Sequence, residues 1–155
     1  MPTKRLKEYL KQNKVKYVTC THSQAFTAQE IAAAAHIPGK QLAKTVMVTL
    51  DGKMAMAVLP ATDHVDLRLL KKATGAKQAD LASEREFKDL FPDCEIGAMP
   101  PFGNLYDLEV YVAASLAEDA DIAFNAGSHT ELIRMAYADF ADLVKPEVAE
   151  LSVVV

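Results

Sequence analysis

The sequence predicts an α/β (α+β) protein in which a mixed, largely antiparallel β-sheet, or a partly closed barrel, is flanked by helices. Strand-like and helix-like runs follow one another without the strict β-α alternation that is typical of a doubly wound nucleotide fold. Asp51-Gly52 separates two apolar runs, which indicates a hairpin because both turn positions tolerate positive φ. With 155 residues, 50% hydrophobic and 25% charged, the chain predicts one sizeable core and a single domain over residues 1–155.

Composition and charge exclude several classes of protein. The net charge of −4 at pH 7 argues against a protein that coats nucleic acid, so any RNA contact must be local. The N-terminal residues mix charged and apolar side chains with no hydrophobic run behind them. We therefore expect neither a signal peptide nor a membrane span, and a cytoplasmic protein. Cys20 and Cys94 form no C-x-x-C pair, so neither a disulfide framework nor a zinc site is expected.

Residues 1–90 predict four helices, one strand and the hairpin. Periodicity and capping residues place the helices at 3–14, from Thr27 to Gly39, from Asp63 to about Ala73 with Gly75 ending it, and from Ser83 toward Leu90. The strand covers residues 16–21 and the hairpin residues 42–59.

The remaining chain changes character after Leu90. Residues 91–104 contain three prolines and two glycines and are too apolar for a solvated linker, which predicts an ordered loop. Strands are predicted at 108–113, 122–125 and 129–135, followed by a short helix at 138–144. We expect the Val153–Val155 tail to be a terminal strand within the monomer, with pairing to a neighbouring subunit as the alternative.

Four lysines recur at helical spacing in the first predicted helix: Lys4, Lys7, Lys11 and Lys14. A solvated helix face is one interpretation, because lysine commonly occupies exposed helix positions. The other is a face that contacts nucleic-acid phosphates.

Lys44 falls on the aliphatic face of its predicted strand, together with Leu42 and Val46. Burying an unpaired ammonium group is unfavourable. Either the lysine therefore extends to water along the strand end, or it lines a cleft that receives an anion.

Two further segments have the composition of ligand-binding loops. In the run from Gly97 to Gly103, prolines fix the backbone while glycines let it turn sharply or approach a ligand. Such a loop can present amides to a carbonyl oxygen, as ester hydrolysis requires, or it can be a structural turn. The tight turn that ends at His129 leads into a strand, where this histidine could face the same cleft or a sheet edge.

Familiar catalytic signatures are missing from the chain. It has no G-x-S-x-G elbow, no G-x-x-x-x-G-K-[ST] phosphate loop and no G-x-G-x-x-G turn. The four histidines, at 22, 36, 64 and 129, lack the spacing of a metal site, so we expect no metal and no other cofactor. His36 and His64 are interpreted as having no catalytic role.

In combination, these segments resemble the YbaK/ProX prolyl-tRNA-editing superfamily, specifically its free-standing trans-editing members. The resemblance spans most of the chain and rests on four stretches: Thr21-His22, Leu42–Val46, Gly97–Gly103 and Ala126–His129. The lysine-bearing strand together with a G-x-x-x-P loop, here Gly97 to Pro101, is fairly specific, whereas either one alone is weak.

The resemblance implies hydrolysis of the ester that joins an amino acid to the terminal adenosine of tRNA, without metal or protein nucleophile. It assigns Lys44 to the terminal nucleotide's phosphate and the backbone of Gly97, Ala98, Met99 and Pro101 to the aminoacyl carbonyl. A ribose hydroxyl of the substrate would help to activate water or would itself attack. The residues it assigns to substrate binding are His22, Phe26, Thr45, Gly103, Gly127, Ser128 and His129. Thr45 stands where several alanine-clearing members carry asparagine, which puts alanine specificity in doubt.

The resemblance also implies tRNA as a partner, with an aminoacyl-tRNA synthetase as a candidate second partner. Serine, threonine, alanine and cysteine all remain open as the amino acid removed. Two other functions fit the sequence: a non-catalytic module of this fold that binds tRNA or a synthetase, and a hydrolase of small esters or amides that does not use RNA.

Overall fold

A computed structural model of the chain describes residues 4–21, 42–91, 94, 98–127 and 130–154. The predicted helix from Thr27 to Gly39 lies outside the described residues. The same holds for five predicted site residues: His22, Phe26, Gly97, Ser128 and His129.

The described residues form ten strands and five helices. The strands are β1 Tyr17–Thr21, β2 Leu42–Leu50, β3 Lys53–Pro60, β4 Asp63–Val65, β5 Ala79–Leu81, β6 Glu109–Ala113, β7 Asp121–Asn125, β8 Glu131–Ala136, β9 Glu147–Ala149 and β10 Ser152–Val154. The helices are α1 Lys4–Gln12, α2 Leu67–Thr74, α3 Glu84–Phe87, α4 Ala114–Ala117 and α5 Tyr137–Val144. No helix among the described residues is long and apolar enough to cross a membrane.

Eight strands form one sheet in the order β1-β8-β7-β2-β3-β6-β9, with β5 paired to β2. Four pairings are antiparallel and three, β2-β7, β3-β6 and β6-β9, are parallel. The predicted mixed, largely antiparallel sheet flanked by helices is therefore confirmed. Among the described strands β1 and β9 are the edges, so the described path is an open sheet rather than a closed barrel.

The predicted hairpin is present as β2 and β3, with Leu50 opposite Lys53 at its tip. Asp51 and Gly52 have φ values of 52° and 83°, as a two-residue turn with two positive φ values requires. The Asp51 carboxylate accepts hydrogen bonds from the backbone amides of Lys77 and Gln78, at 3.0 and 2.9 Å. These bonds fix the hairpin tip to the segment that leads into β5.

An aromatic cluster on one face of the sheet joins distant parts of the chain. Phe102 is fully buried, and its ring centroid lies 5.5 Å from that of Phe124 on β7 and 5.4 Å from that of Phe140 on α5. Tyr9 on α1 contacts Phe102 edge-on at 6.2 Å. The described part of the predicted proline-glycine loop is therefore a core element, because Phe102 is anchored among two helices and a central strand.

Two predicted helix boundaries are wrong. The first helix ends at Gln12, and Lys14 follows it with a φ of 57°, outside the helix. The third predicted helix is capped by Asp66, whose carboxylate accepts from the amides of Arg68 and Leu69 at 2.9 and 3.1 Å. Asp63, the predicted cap, lies instead on β4. The sequence prediction considered only Asp63, which is part of a short strand, and the cap of the helix lies three residues later.

The C-terminal tail pairs within the monomer, as predicted. Strand β10 runs antiparallel to β4, with Val153 opposite His64. His64 is exposed on this small two-stranded sheet.

Candidate active site around Lys44

Pairing between β2 and β7 determines where Lys44 lies. The two strands are parallel, with Leu42 beside Ala123 and Ala43 beside Phe124. Lys44 and Asn125 are the next residues after this last pair, and alternation of side chains puts them on the same face of the sheet. The predicted lysine therefore emerges where two central strands begin to separate, next to the carboxyl end of β7.

The Lys44 side chain is half-buried and faces aliphatic neighbours. Its cross-strand partner on β3 is Leu59, which is fully buried. Burial lowers the pKa of the Lys44 ammonium group, and the negative charge of Asp63 partly offsets this by raising it. Lys44 forms no ion pair with any residue that the structure describes. Lys44 is thus a partly desolvated cation without an ion-pair partner among the described residues, which is the kind of group that an anionic ligand requires.

Asp63 is a buried carboxylate that acts on the Lys44 charge, and the sequence analysis assigned it only as a helix cap. It is 6% exposed and is the buried charged residue of the described core. Its carboxylate oxygens accept hydrogen bonds from the hydroxyls of Ser152 on β10, at 2.9 Å, and Thr62, at 3.3 Å. Its carboxylate borders a cavity of about 300 Å³ that Ser115, Glu118 and Ser152 also line. No sequence signal distinguished it from a helix cap.

A backbone hydrogen bond joins the two predicted loops. The amide of Gly127 donates to the carbonyl oxygen of Ala98 at 2.8 Å. Gly127 has a φ of 94°, a conformation that side-chain-bearing residues rarely adopt. Since Gly127 lies two residues after Asn125, this bond brings the Ala98 end of the proline-glycine loop beside the strand end that carries the site. Strand register and this one backbone bond thus relate Lys44, Ala98 and Gly127 to the carboxyl end of β7.

Other predicted site residues in this loop are buried. Met99 and Pro101 are buried, and Met99 is only 4% exposed. Gly103 starts a short 3-10 turn, where an added Cβ would lie 2.6 Å from Val110 Cγ2 and 2.7 Å from the Leu108 carbonyl oxygen. Packing alone explains the glycine at position 103.

Thr45 lies next to Lys44 on β2 but on the opposite face of the sheet. It is paired with Val58 on β3 and is half-buried. Side-chain alternation therefore separates the Thr45 hydroxyl from the face that carries Lys44.

The basic residues of the N-terminal segment are not equivalent. Lys7 forms an ion pair with Glu131 on β8 at 2.5 Å. Lys4 and Lys11 are exposed on α1, and Lys14 is exposed beyond its end. Arg5 anchors the helix, with its guanidinium group 5.0 Å from the centroid of the Tyr106 ring. Two helical lysines, not four, are thus left as a charged face.

No group of three or more potential metal ligands occurs among the described residues. The predicted His22, Phe26, Gly97, Ser128 and His129 contributions lie outside the described residues and stay predictions.

Comparison with known proteins gives consistent results. Residues 22–143 match the aminoacyl-tRNA editing domain family. The chain is 29% identical over 148 residues to the multifunctional Ser/Thr-tRNA deacylase ProXp-y of Escherichia coli K12, covering 92% of this chain and 88% of the relative. It is 27% identical over 104 residues to a proline–tRNA ligase of Bacillus mycoides, and this match spans only 18% of that much longer protein.

Solved structures show the same fold. A protein described as a candidate trans-editing enzyme for prolyl-tRNA synthetase superposes with a TM-score of 0.84 at 20% identity, over 98% of this chain and 97% of that one. A second structure, of a hypothetical protein, gives a TM-score of 0.85 at 18% identity, over 97% of this chain and all of the other.

Proposed function

Because the chain belongs to the aminoacyl-tRNA editing domain family, a family of editing hydrolases, we propose that it removes a mischarged small amino acid from tRNA in trans. The substrate is the ester between that amino acid and the terminal adenosine of tRNA. The products are the free amino acid and uncharged tRNA. A tRNA substrate would place the enzyme where translation occurs, in the cytoplasm.

The observation that supports this proposal best is the convergence around Lys44. A desolvated cation, the Ala98–Pro101 segment and the Gly127 turn meet at one end of a parallel strand pair. The 3′ end of an aminoacyl-tRNA offers a phosphate, an ester carbonyl and a small side chain within a few ångströms of one another. A site for it needs a cation and backbone donors at similarly short separation.

In the proposed mechanism, Lys44 binds the phosphate of the terminal nucleotide and orients the ester. Backbone amides of the Gly97–Pro101 loop donate to the carbonyl oxygen, whose negative charge grows as water attacks. A ribose hydroxyl of the substrate helps to activate this water. The water oxygen bonds to the carbonyl carbon, the bond from that carbon to the ribose oxygen breaks, and the ribose oxygen takes up a proton.

Serine and threonine are the amino acids we propose to test first. The Escherichia coli relative is named a multifunctional Ser/Thr-tRNA deacylase. Synthetases need such editing because one methylene or one isosteric exchange gives only about 1–3 kcal/mol of discrimination. The residues expected to line the amino-acid pocket are Phe26, Met99 and His129. Alanine and cysteine are further candidates for the amino acid that is removed.

We also propose that the enzyme depends on a partner for part of its tRNA affinity. A net charge of −4 and two exposed helical lysines, Lys4 and Lys11, provide few phosphate contacts. An aminoacyl-tRNA synthetase that holds the same tRNA would supply the remainder.

The test is deacylation of a panel of tRNAs bearing serine, threonine, alanine, cysteine or the cognate amino acid, by wild type and Lys44→Ala. We expect one mischarged species to be cleared by wild type and spared by the variant. If folded wild-type protein clears none of them above background, the deacylase proposal is wrong for these substrates. Binding of tRNA without turnover would then favour the non-catalytic binding module.

A further inference from the structure

Asn125, the last residue of β7, has a side-chain oxygen with no partner among the described residues. The Oδ1 atom is buried and accepts no hydrogen bond from any of them. Most buried polar atoms in folded proteins are paired, and a buried acceptor left without a donor is destabilising. The unpaired state therefore calls for an explanation, since leucine would fill a comparable volume without this penalty.

The donors nearest along the chain are already engaged. The amide of Ala126 donates to the carbonyl oxygen of Glu131 at 3.1 Å, and the amide of Gly127 donates to that of Ala98 at 2.8 Å. The cross-strand neighbour of Asn125 on β8 is the apolar Leu132. None of these described groups therefore donates to Asn125 Oδ1.

The position of Asn125 relates this acceptor to the site. It directly follows the last β2-β7 pair, as Lys44 does on β2, and side-chain alternation puts the two residues on the same face of the sheet. It also lies two residues before Gly127, whose amide holds the loop proposed to bind the ester carbonyl. Asn125 is thus close in strand register to the proposed phosphate position and close in sequence to the turn that holds the proposed carbonyl site.

In an aminoacyl ester, the α-carbon next to the carbonyl carries an ammonium group, which is a charged donor. We propose that Asn125 Oδ1 accepts a hydrogen bond from this α-ammonium group, so that the enzyme selects esters with a free amino group and spares N-acylated ones such as peptidyl-tRNA. This inference rests on the proposed function, because it assigns a role within the same site. An amide oxygen suits this role, since it attracts the ammonium group without adding a carboxylate that would compete for Lys44.

The test measures binding instead of turnover. The probe is 3′-serylamino-3′-deoxyadenosine 5′-phosphate, in which a stable amide replaces the ester, and its partner is the same molecule acetylated on the α-amino group. Dissociation constants for both are measured by calorimetry with wild type, Asn125→Leu, Asn125→Asp and Asn104→Leu. Asn104 is a matched control because it is an exposed asparagine whose amide donates to the Tyr9 hydroxyl.

Wild type is expected to bind the free-amine probe about 10- to 100-fold more tightly than the acetylated probe, as loss of a hydrogen bond to a charged group predicts. Asn125→Leu should bring this ratio close to one, while Asn125→Asp keeps or increases it and Asn104→Leu leaves it unchanged. Because leucine removes an unpaired polar atom, the melting temperature of Asn125→Leu should equal or exceed that of wild type.

Three results would overturn the inference: a wild-type ratio near one, a ratio that Asn125→Leu preserves, or no binding of either probe by folded wild type. Equal weakening of both probes in Asn125→Leu would also overturn it, since that pattern means that Asn125 acts through Lys44. Deacylation of mischarged tRNA by wild type is measured in parallel. If turnover is absent but the probe ratio behaves as expected, the proposed function fails and the ammonium site stands. If turnover is present with an unchanged ratio, only the inference fails.

Discussion

Replacement of Lys44 by methionine should separate stability from activity. Methionine keeps the apolar stem against Leu59 and removes the ammonium group. No described residue forms an ion pair with this ammonium, and the penalty of burying it outweighs its attraction to Asp63, so the free energy of unfolding at pH 7 should rise or stay unchanged. A hydrogen bond between an ammonium group and a phosphate contributes about 1.5–3 kcal/mol, so kcat/KM should fall about 10- to 150-fold.

The pH dependence of stability follows from the lowered pKa of Lys44. The unfolded chain binds this proton more tightly than the folded protein, so wild-type stability rises as pH increases from the folded-state pKa toward 10.5, the ordinary pKa of lysine. The penalty for burying the charged form is fully present at neutral pH. The stability advantage of Lys44→Met should therefore be greatest near pH 7 and decrease toward pH 10.5.

Urea denaturation at several pH values and single-turnover deacylation measure the two effects. Lys53→Met is a matched control, because Lys53 is an exposed lysine at the other end of the same hairpin and pairs only with Glu109, at 3.6 Å. Retention of full kcat/KM by Lys44→Met would refute the phosphate role. A large loss of stability at pH 7 would refute the conclusion that the charge is buried at a net penalty.

Three further substitutions test the surroundings of the site. Gly103→Ala should lower the free energy of unfolding by about 1–3 kcal/mol in urea titrations, because its Cβ would lie 2.6 Å from a Val110 methyl group; unchanged stability would contradict the packing explanation. Gly127→Ala, at a φ of 94°, should lower the free energy of unfolding by about 1–3 kcal/mol. It should also lower kcat more than it raises KM, because it displaces the hydrogen bond to Ala98. A change in KM alone would contradict this. Lys11→Glu should raise KM for tRNA and reduce the slope of log affinity against log salt concentration by about 0.7–0.9. Lys71→Glu on α2, which is also exposed, should change neither quantity. Equal behaviour of the two variants would remove α1 from the tRNA interface.

Local signals predicted most of the longer elements, because their causes are local. Asp51-Gly52 specified the hairpin through its backbone preferences, and the strand-forming residues of 108–113 specified β6. The short elements β5, β9 and α4 were not predicted. One helix start was wrong because two nearby residues could perform the same local task. Asp63 and Asp66 both precede an apolar helical run, and the choice between them depends on β10, which lies almost 90 residues away in sequence and pairs with β4.

The candidate site was only partly predictable for the same reason. Strand alternation identified Lys44 as an unusual lysine on an apolar face, but it could not identify the neighbours of that lysine. Those neighbours follow from the parallel β2-β7 register, a contact between segments about 80 residues apart. Asn125 and Asp63 carry no sequence signal of their own, because each becomes notable only through its burial.

The parallel β2-β7 pair explains how the candidate site is connected to the packed core. Ala43 and Phe124 form its last register pair, and Phe124 is anchored from the other face by Phe102. Phe102 in turn follows directly after the loop segment whose Ala98 is bonded to Gly127. One aromatic contact therefore links the strand that carries Asn125 to the proline-glycine loop, so the spacing between the proposed cation, carbonyl and ammonium positions depends on the rigidity of the core. Close-packed interiors resist displacement, and this resistance would hold the proposed groups in place.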